Sequence, residues 1–358
     1  MSIKRIGSIL FLTAVLLLLA NAQRGLQRQL GAPGPTLARL PGATATPAAT
    51  AAVPPPATAQ PVAENNHLSA ADVQAISRAQ IVPLATASDA PPLPPLPATL
   101  NDLPLNNFVV LPAPVAAHVR DIFARGQVAG RDQHAFAKIG DSSIADGFFL
   151  TRFDGPDYNL GPYAILEATL AYFAGSFGRD SVTVRQGMHS WSVLDPFWAD
   201  RARCEAGETP LACEIRLLNP ALAIIRLGTN DVNTPDYYEE NMRLIVESLL
   251  ALDIVPILGT KADQIDGPGG PNNGIVRRLA EEYQLPLWDF ELVAATLPGR
   301  GLAPDGVHLT TFYPHDYDQP EAMQRGHALQ NLSALLLLES VRRLVVPIGA
   351  TVSVVEDG

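Results

Sequence analysis

The chain has 358 residues, 47% of them hydrophobic, with a formal net charge of −11 and a pI of about 5.1. That supplies enough apolar material for a sizeable core. The acidic balance, with no basic stripe, excludes nucleic acid and anionic lipid as partners.

The N-terminus reads as an export signal. Lys4 and Arg5 form a small positive region, residues 6–20 are continuously apolar, and Ala20-Asn21-Ala22 fits a small-x-small cleavage site. Residues 1–22 are therefore expected to be a signal peptide, with the mature chain starting at Gln23 and an extracytoplasmic location, secreted or surface-tethered. A membrane enters only if this segment stays uncleaved, and the apolar run is shorter than the ~20 residues that span a bilayer.

Residues 23–105 are dominated by Ala, Pro and Thr and carry about half of the 32 prolines. Proline removes backbone donors and disfavours helix in the residue before it, so this segment reads as a disordered, extended tether. One short helix over 69–79, capped by Ser69, is the only element expected there. The folded domain is expected at 106–346, followed by a tail at 347–358.

Within the domain, 114–125 has helical spacing, with Val115, Val119, Ile122 and Phe123 on one side. A buried strand over 135–139 runs into Gly140-Asp141-Ser142-Ser143, a tight turn that presents a hydroxyl at the mouth of a sheet. Helix is expected at 164–177, a strand at 181–186 ending at Gly187, and a helix at 189–203 broken around Pro196. Cys204 and Cys213, the only two cysteines, flank a turn-rich loop, and in an exported chain such a pair reads as a disulfide. Zinc would need further Cys or His ligands beside them, and none is there.

A buried strand over 220–227 ends in Gly228-Thr229-Asn230-Asp231. Helix at 235–252, strand at 253–259 and a long flexible loop at 260–274 follow. Then come a helix at 275–283, a strand at 285–290, the segment Asp305-Gly306-Val307-His308 and a closing helix over 321–345. Strands alternating with helices predict an α/β fold: three α/β/α layers around a parallel five-stranded sheet, with the active edge at the strand C-termini.

Four fragments then fall where acyl-transfer chemistry needs them. Ser142 follows the first strand as a nucleophile would, and Asn230 follows the third, where its amide could meet a developing oxyanion. Gly187, without a Cβ, could offer a backbone N–H at close approach. Asp305 and His308 are three apart, so the carboxylate can hold one imidazole nitrogen while the other faces a serine.

In these blocks the sequence resembles the SGNH hydrolase superfamily, the GDSL-type esterases and lipases, which have a flavodoxin-like fold. Gly140-Asp141-Ser142 matches the first block, Gly187 the second, Gly228-Thr229-Asn230-Asp231 the third and Asp305-Gly306-Val307-His308 the fifth. The resemblance implies Ser142 as nucleophile, His308 as base and Asp305 as its orienting carboxylate. The oxyanion hole would comprise Ser142 N–H, Gly187 N–H and the Asn230 amide.

Two stretches depart from the family pattern. The second block reads Arg185-Gln186-Gly187-Met188-His189 rather than a glycine- and serine-rich run, and a long aromatic segment follows His308. His189 could line a pocket, whereas His315 and His327 read as surface residues. No metal or cofactor is implied. The expected activity is hydrolysis of a small-molecule or polysaccharide ester, with acyl chain and alcohol unspecified. The alternatives are a non-catalytic carbohydrate-binding relative and an exported O-acyltransferase on the same scaffold.

Overall fold

A computed structural model describes residues 93–346 apart from Asp146, Phe148, Pro268 and Gly269. The signal peptide, the helix at 69–79, most of the tether and the C-terminal tail lie outside the described residues.

A small hairpin, β1 (Thr99–Leu100) and β2 (Leu103–Pro104), precedes the short helix α1 (Leu105–Phe108) and strand β3 (Val109–Val110). Helix α2 (Ala113–Val128) leads to β4 (Asp132–Gly140), whose last six residues are buried. The short helix α3 (Ser142–Ala145) starts immediately after it, and α4 (Glu167–Tyr172) and α5 (Pro210–Leu218) follow. Next come β5 (Pro220–Arg226), α6 (Pro235–Leu250), β6 (Val255–Gly259), α7 (Pro271–Glu282), β7 (Leu287–Trp288), α8 (Phe290–Ala295) and α9 (Gly326–Val345).

The five-stranded sheet has the order β3-β7-β6-β5-β4, parallel except for β3, which pairs antiparallel with β7 through Val109 and Trp288. Every residue of β5 and β6 is buried, as continuous apolar runs in a sheet covered on both faces should be. From β4 to β7 the chain steps one strand at a time in the same direction. Right-handed crossovers therefore put α5, α6 and α7 on one face of the sheet. Helices α2 and α9 pack together and cover the other. The first fourteen residues of α9 are all buried, which makes it a core helix rather than an amphipathic lid.

Several expectations need correcting. Residues 181–186 do not form a strand; only the bridge Gly140–Val184 remains, and β3 takes the fifth place in the sheet. The hydroxyls of Ser181 and Thr183 donate to the Lys138 carbonyl at 2.9 and 2.7 Å, replacing part of a backbone ladder. Residues 189–203 form two single turns, Trp191–Leu194 and Pro196–Trp198, with the Asp195 carboxylate capping Phe197 N–H at 2.9 Å. The domain also starts earlier than residue 106: Leu100 is 1% exposed and the Asn101 amide donates to Met323 O at 2.8 Å. A buried leucine outweighs the prolines around it, so the last part of the expected tether packs onto the fold.

Cys204 and Cys213 form the expected disulfide, with Cα atoms 5.3 Å apart. It closes the loop before α5, whose first turn is capped by Thr209 Oγ accepting from Ala212 N–H at 3.1 Å.

Candidate active site

The first and third blocks meet at the C-terminal ends of β4 and β5. Gly140 closes β4, and a Cβ there would lie 2.8 Å from Arg226 O and closer still to the Ile144 side chain, so no side chain fits. Asp141 is fully buried. Its carboxylate accepts Ser143 N–H at 2.9 Å and Thr229 N–H at 3.2 Å, tying the first block to the third. Burial pushes its carboxyl pKa up, and those two amides oppose the shift. Ser142, the first residue of α3, is partly exposed, whereas the Ser143 side chain is buried. From beneath, Gln330 of α9 donates its side-chain amide to Ser143 O at 2.8 Å.

The third block is held from several sides. Gly228 has φ +118°, a conformation that favours glycine, and the Tyr238 hydroxyl donates to Leu227 O at 3.0 Å beside it. Asn272, at the start of α7, donates to Gly228 O at 2.9 Å and Asp231 O at 3.3 Å. Thr229 Oγ donates to Asp263 at 2.9 Å, and Asp263 in turn pairs with buried Lys261 at 2.7 Å. Lys261 also meets Asp266 at 2.6 Å. Part of the expected flexible loop is therefore a buried ionic support, with Thr260, Lys261, Ala262 and Asp263 all inside.

The second block is clipped to the third. Asn230 donates its amide to Met188 O at 3.0 Å, and the buried Asp231 carboxylate accepts Ser190 N–H at 3.1 Å and Ser190 Oγ–H at 2.7 Å. Burial raises the Asp231 carboxyl, offset by those same Ser190 bonds. Gly187 sits in an exposed turn at φ +72°. Its N–H donates to nothing among the described residues, so it remains available to a ligand.

Asp305 and His308 come together as their spacing suggests. Asp305 Oδ2 lies 2.7 Å from His308 Nδ1, while Oδ1 accepts Val307 N–H and His308 N–H, each at 3.0 Å. The imidazole bond, then the two amides, hold the Asp305 carboxyl at about 2. A carboxylate only accepts, so it fixes the tautomer protonated at Nδ1 and leaves Nε2 as the acceptor. The pair is half exposed. No hydrogen bond joins Ser142 to His308 among the described residues.

His315 and His327 are not surface residues: they are 2% and 4% exposed. His315 Nε2 lies 3.4 Å from the Asn331 amide, a partner on α9 that local sequence could not reveal. His189 is partly exposed and stacks on Trp191, with ring centroids 5.8 Å apart. Cys204, Glu208 and Cys213 cluster closely, but the two sulfurs are bonded to each other and Arg216 pairs with Glu208 at 2.7 Å. The cluster is thus spoken for.

Four supports were missed by sequence reasoning: Asn272, Lys261 and Asp263 behind the third block, and Gln330 behind the first. The one available signal was the density of Asp, Asn and Lys between residues 261 and 273, where an ordinary loop needs no such set.

No family model and no curated protein matches the chain. Solved structures similar to it include a GDSL-like lipase from Bacteroides thetaiotaomicron, at 18% identity and TM-score 0.37 over 64% of this chain and 100% of that one. An acetyl xylan esterase from Geobacillus stearothermophilus is similar at 20% identity and TM-score 0.37 over 57% and 94%. The psychrotrophic esterase EstA from Pseudoalteromonas sp. is similar at 14% identity and TM-score 0.37 over 59% and 98%. Likenesses this distant say nothing about substrate. In the order of its blocks and in its mostly parallel sheet, the chain resembles the SGNH hydrolases.

Proposed function

We propose that this protein is an exported serine esterase that cleaves carboxylic esters through an acyl-enzyme. The observation that carries the reading is the Asp305–His308 pair, bonded at 2.7 Å with Nε2 left free to accept a proton. Its support is Ser142 at the C-terminal end of β4, beside a third block braced by buried groups.

In this mechanism His308 Nε2 takes the Ser142 proton as the hydroxyl oxygen attacks the ester carbonyl. The oxyanion receives hydrogen bonds from Ser142 N–H, Gly187 N–H and Asn230 Nδ2–H. The imidazolium, stabilised by Asp305, then protonates the departing alcohol. Water, deprotonated by the same imidazole, attacks the acyl group and releases the carboxylic acid and free serine. Gly187 enters this scheme as the exposed N–H of a turn, not as the end of a strand.

Steady-state hydrolysis of p-nitrophenyl acetate, butyrate and octanoate tests the reading. Turnover should appear and collapse in Ser142→Ala and in His308→Ala, with the double variant little worse than either. A chain that binds oligosaccharide but turns over no ester would be the binding relative instead. Acyl transfer to a sugar outpacing release to water would mark it as an acyltransferase.

A further inference from the structure

Beside the second block the surface carries an unusual group of rings. Trp191 is 41% exposed and Phe197 75%, and Trp198 lies between them, partly buried. Trp191 and Trp198 meet edge to face at 5.6 Å and 81°, Phe197 and Trp198 at 6.1 Å and 78°. His189 extends the group by stacking on Trp191. Isolated exposed hydrophobics need no explanation, but four touching rings on the surface do.

The placement relates this group to the candidate site. Residues 188–190 are fastened to Asn230 and Asp231 by the Met188 and Ser190 hydrogen bonds. Trp191 is the next residue along. The rings are therefore carried by the same rigid segment that holds the Asn230 amide, and the Asp195 cap fixes the turn bearing Phe197 and Trp198.

The chemistry around the rings selects an occupant. Neither indole N–H of Trp191 and Trp198 has a hydrogen-bond partner among the described residues, so faces and donors are both on offer. An acyl chain would use the faces alone and leave the donors to water. A net charge of −11 also opposes an anionic membrane. A pyranose uses both: its axial C–H bonds lie against an aromatic face while its hydroxyls take hydrogen bonds from the ring edges and from polar neighbours such as His189. Rings set at right angles form a corner that accepts such a body, whereas an interfacial membrane anchor draws on basic residues that this acidic chain does not concentrate.

We propose that Trp191, Phe197 and Trp198 form a sugar-binding platform that seats a glycan chain carrying the ester to be cleaved. The proposal rests on the esterase reading for its consequence in catalysis, but its binding prediction does not.

The test uses the full exported chain and two readouts. In the first, isothermal titration measures binding of unacetylated xylotetraose, cellotetraose and chitotetraose, with phosphatidylcholine vesicles as the lipid probe. At least one tetrasaccharide should bind, and Trp191→Ala and Phe197→Ala should each weaken it tenfold or more. In the second, kcat/KM is compared for an acetylated form of that tetrasaccharide and for p-nitrophenyl acetate. The variants should lose at least ten times more on the sugar ester than on the small one. Circular dichroism and melting curves matching the parent's show that the variants fold. Failure of all three sugars to bind, binding unchanged in both variants, or ring-dependent partition onto vesicles instead would overturn the platform. Sugar binding without hydrolysis of any ester would leave the platform standing and sink the esterase reading alone.

Discussion

Asn230 donates its side-chain amide to the Met188 carbonyl oxygen at 3.0 Å. An amide nitrogen carries two hydrogens, so this bond fixes the plane of the group and leaves one donor for a ligand. A candidate oxyanion donor is thereby preorganised before substrate arrives. Asn230→Ala should lose about 10²–10³-fold in kcat with KM less affected, as the removal of one oxyanion donor does. Steady-state kinetics on p-nitrophenyl acetate checks it; an unchanged kcat would remove Asn230 from the site.

The Asp305 carboxyl, held at about 2 by His308 and the neighbouring amides, stays ionised throughout the range in which the protein is assayed. The orienting carboxylate is therefore kept on mild acidification, and any acid limb of the kcat/KM profile should lie well above the Asp305 value. Asp305→Asn should lower kcat by about 10⁴-fold, because the amide no longer enforces the Nδ1–H tautomer. A limb that falls only near pH 2 would make Asp305 itself the ionising group.

Lys138 on β4 is 7% exposed and donates to Phe177 O at 2.9 Å. Burial, partly offset by Glu214, lowers its pKa from 10.5 to about 8. The folded value lies below the unfolded one, so between these two the unfolded chain binds more protons and stability rises with pH. Below pH 8 the protein carries the full cost of a buried ammonium. Lys138→Met should remove that slope, and the difference between parent and variant should change by roughly 3 kcal/mol across the window. Urea unfolding at pH 7.5 and pH 10.5 measures it.

Leu100 anchors the residues ahead of the expected domain start. Leu100→Ala should cost about 3 kcal/mol, as truncation of a buried leucine does. A chain beginning at Leu93 should melt like the parent, whereas one beginning at Asn106 should melt markedly lower. Equal melting temperatures for the two truncations would show that the hairpin adds nothing to the fold.

Much of this arrangement was legible from sequence because the signals were local. β5 and β6 are almost wholly apolar, β4 is apolar over its second half except for Lys138, and a glycine lies at or just after the end of each. Asp305 and His308 could be paired because they lie three apart across a glycine turn. The errors arose where a distant partner decides the outcome. Residues 181–186 alternate like a strand, yet Ser181 and Thr183 spend their hydroxyls on Lys138 O. Strand β3 is only two residues long and exists because Trp288 and Leu287 pair with it. His315 looks like a surface residue until Asn331 on α9 is placed beside it. Lys261 reads as solvated until Asp263 and Asp266 close around it.

The central claim is that Ser142 is the nucleophile, and its neighbour Ser143 provides an internal control. The most direct measurement is labelling with an alkyl fluorophosphonate, in which a serine oxygen bonds phosphorus and fluoride departs. Fragmentation mass spectrometry of the peptide containing Gly140-Asp141-Ser142-Ser143 then locates the adduct. One equivalent on Ser142, coincident with loss of esterase activity and absent in His308→Ala, is the predicted result. An adduct on Ser143, or no adduct at all in a folded protein, would contradict it.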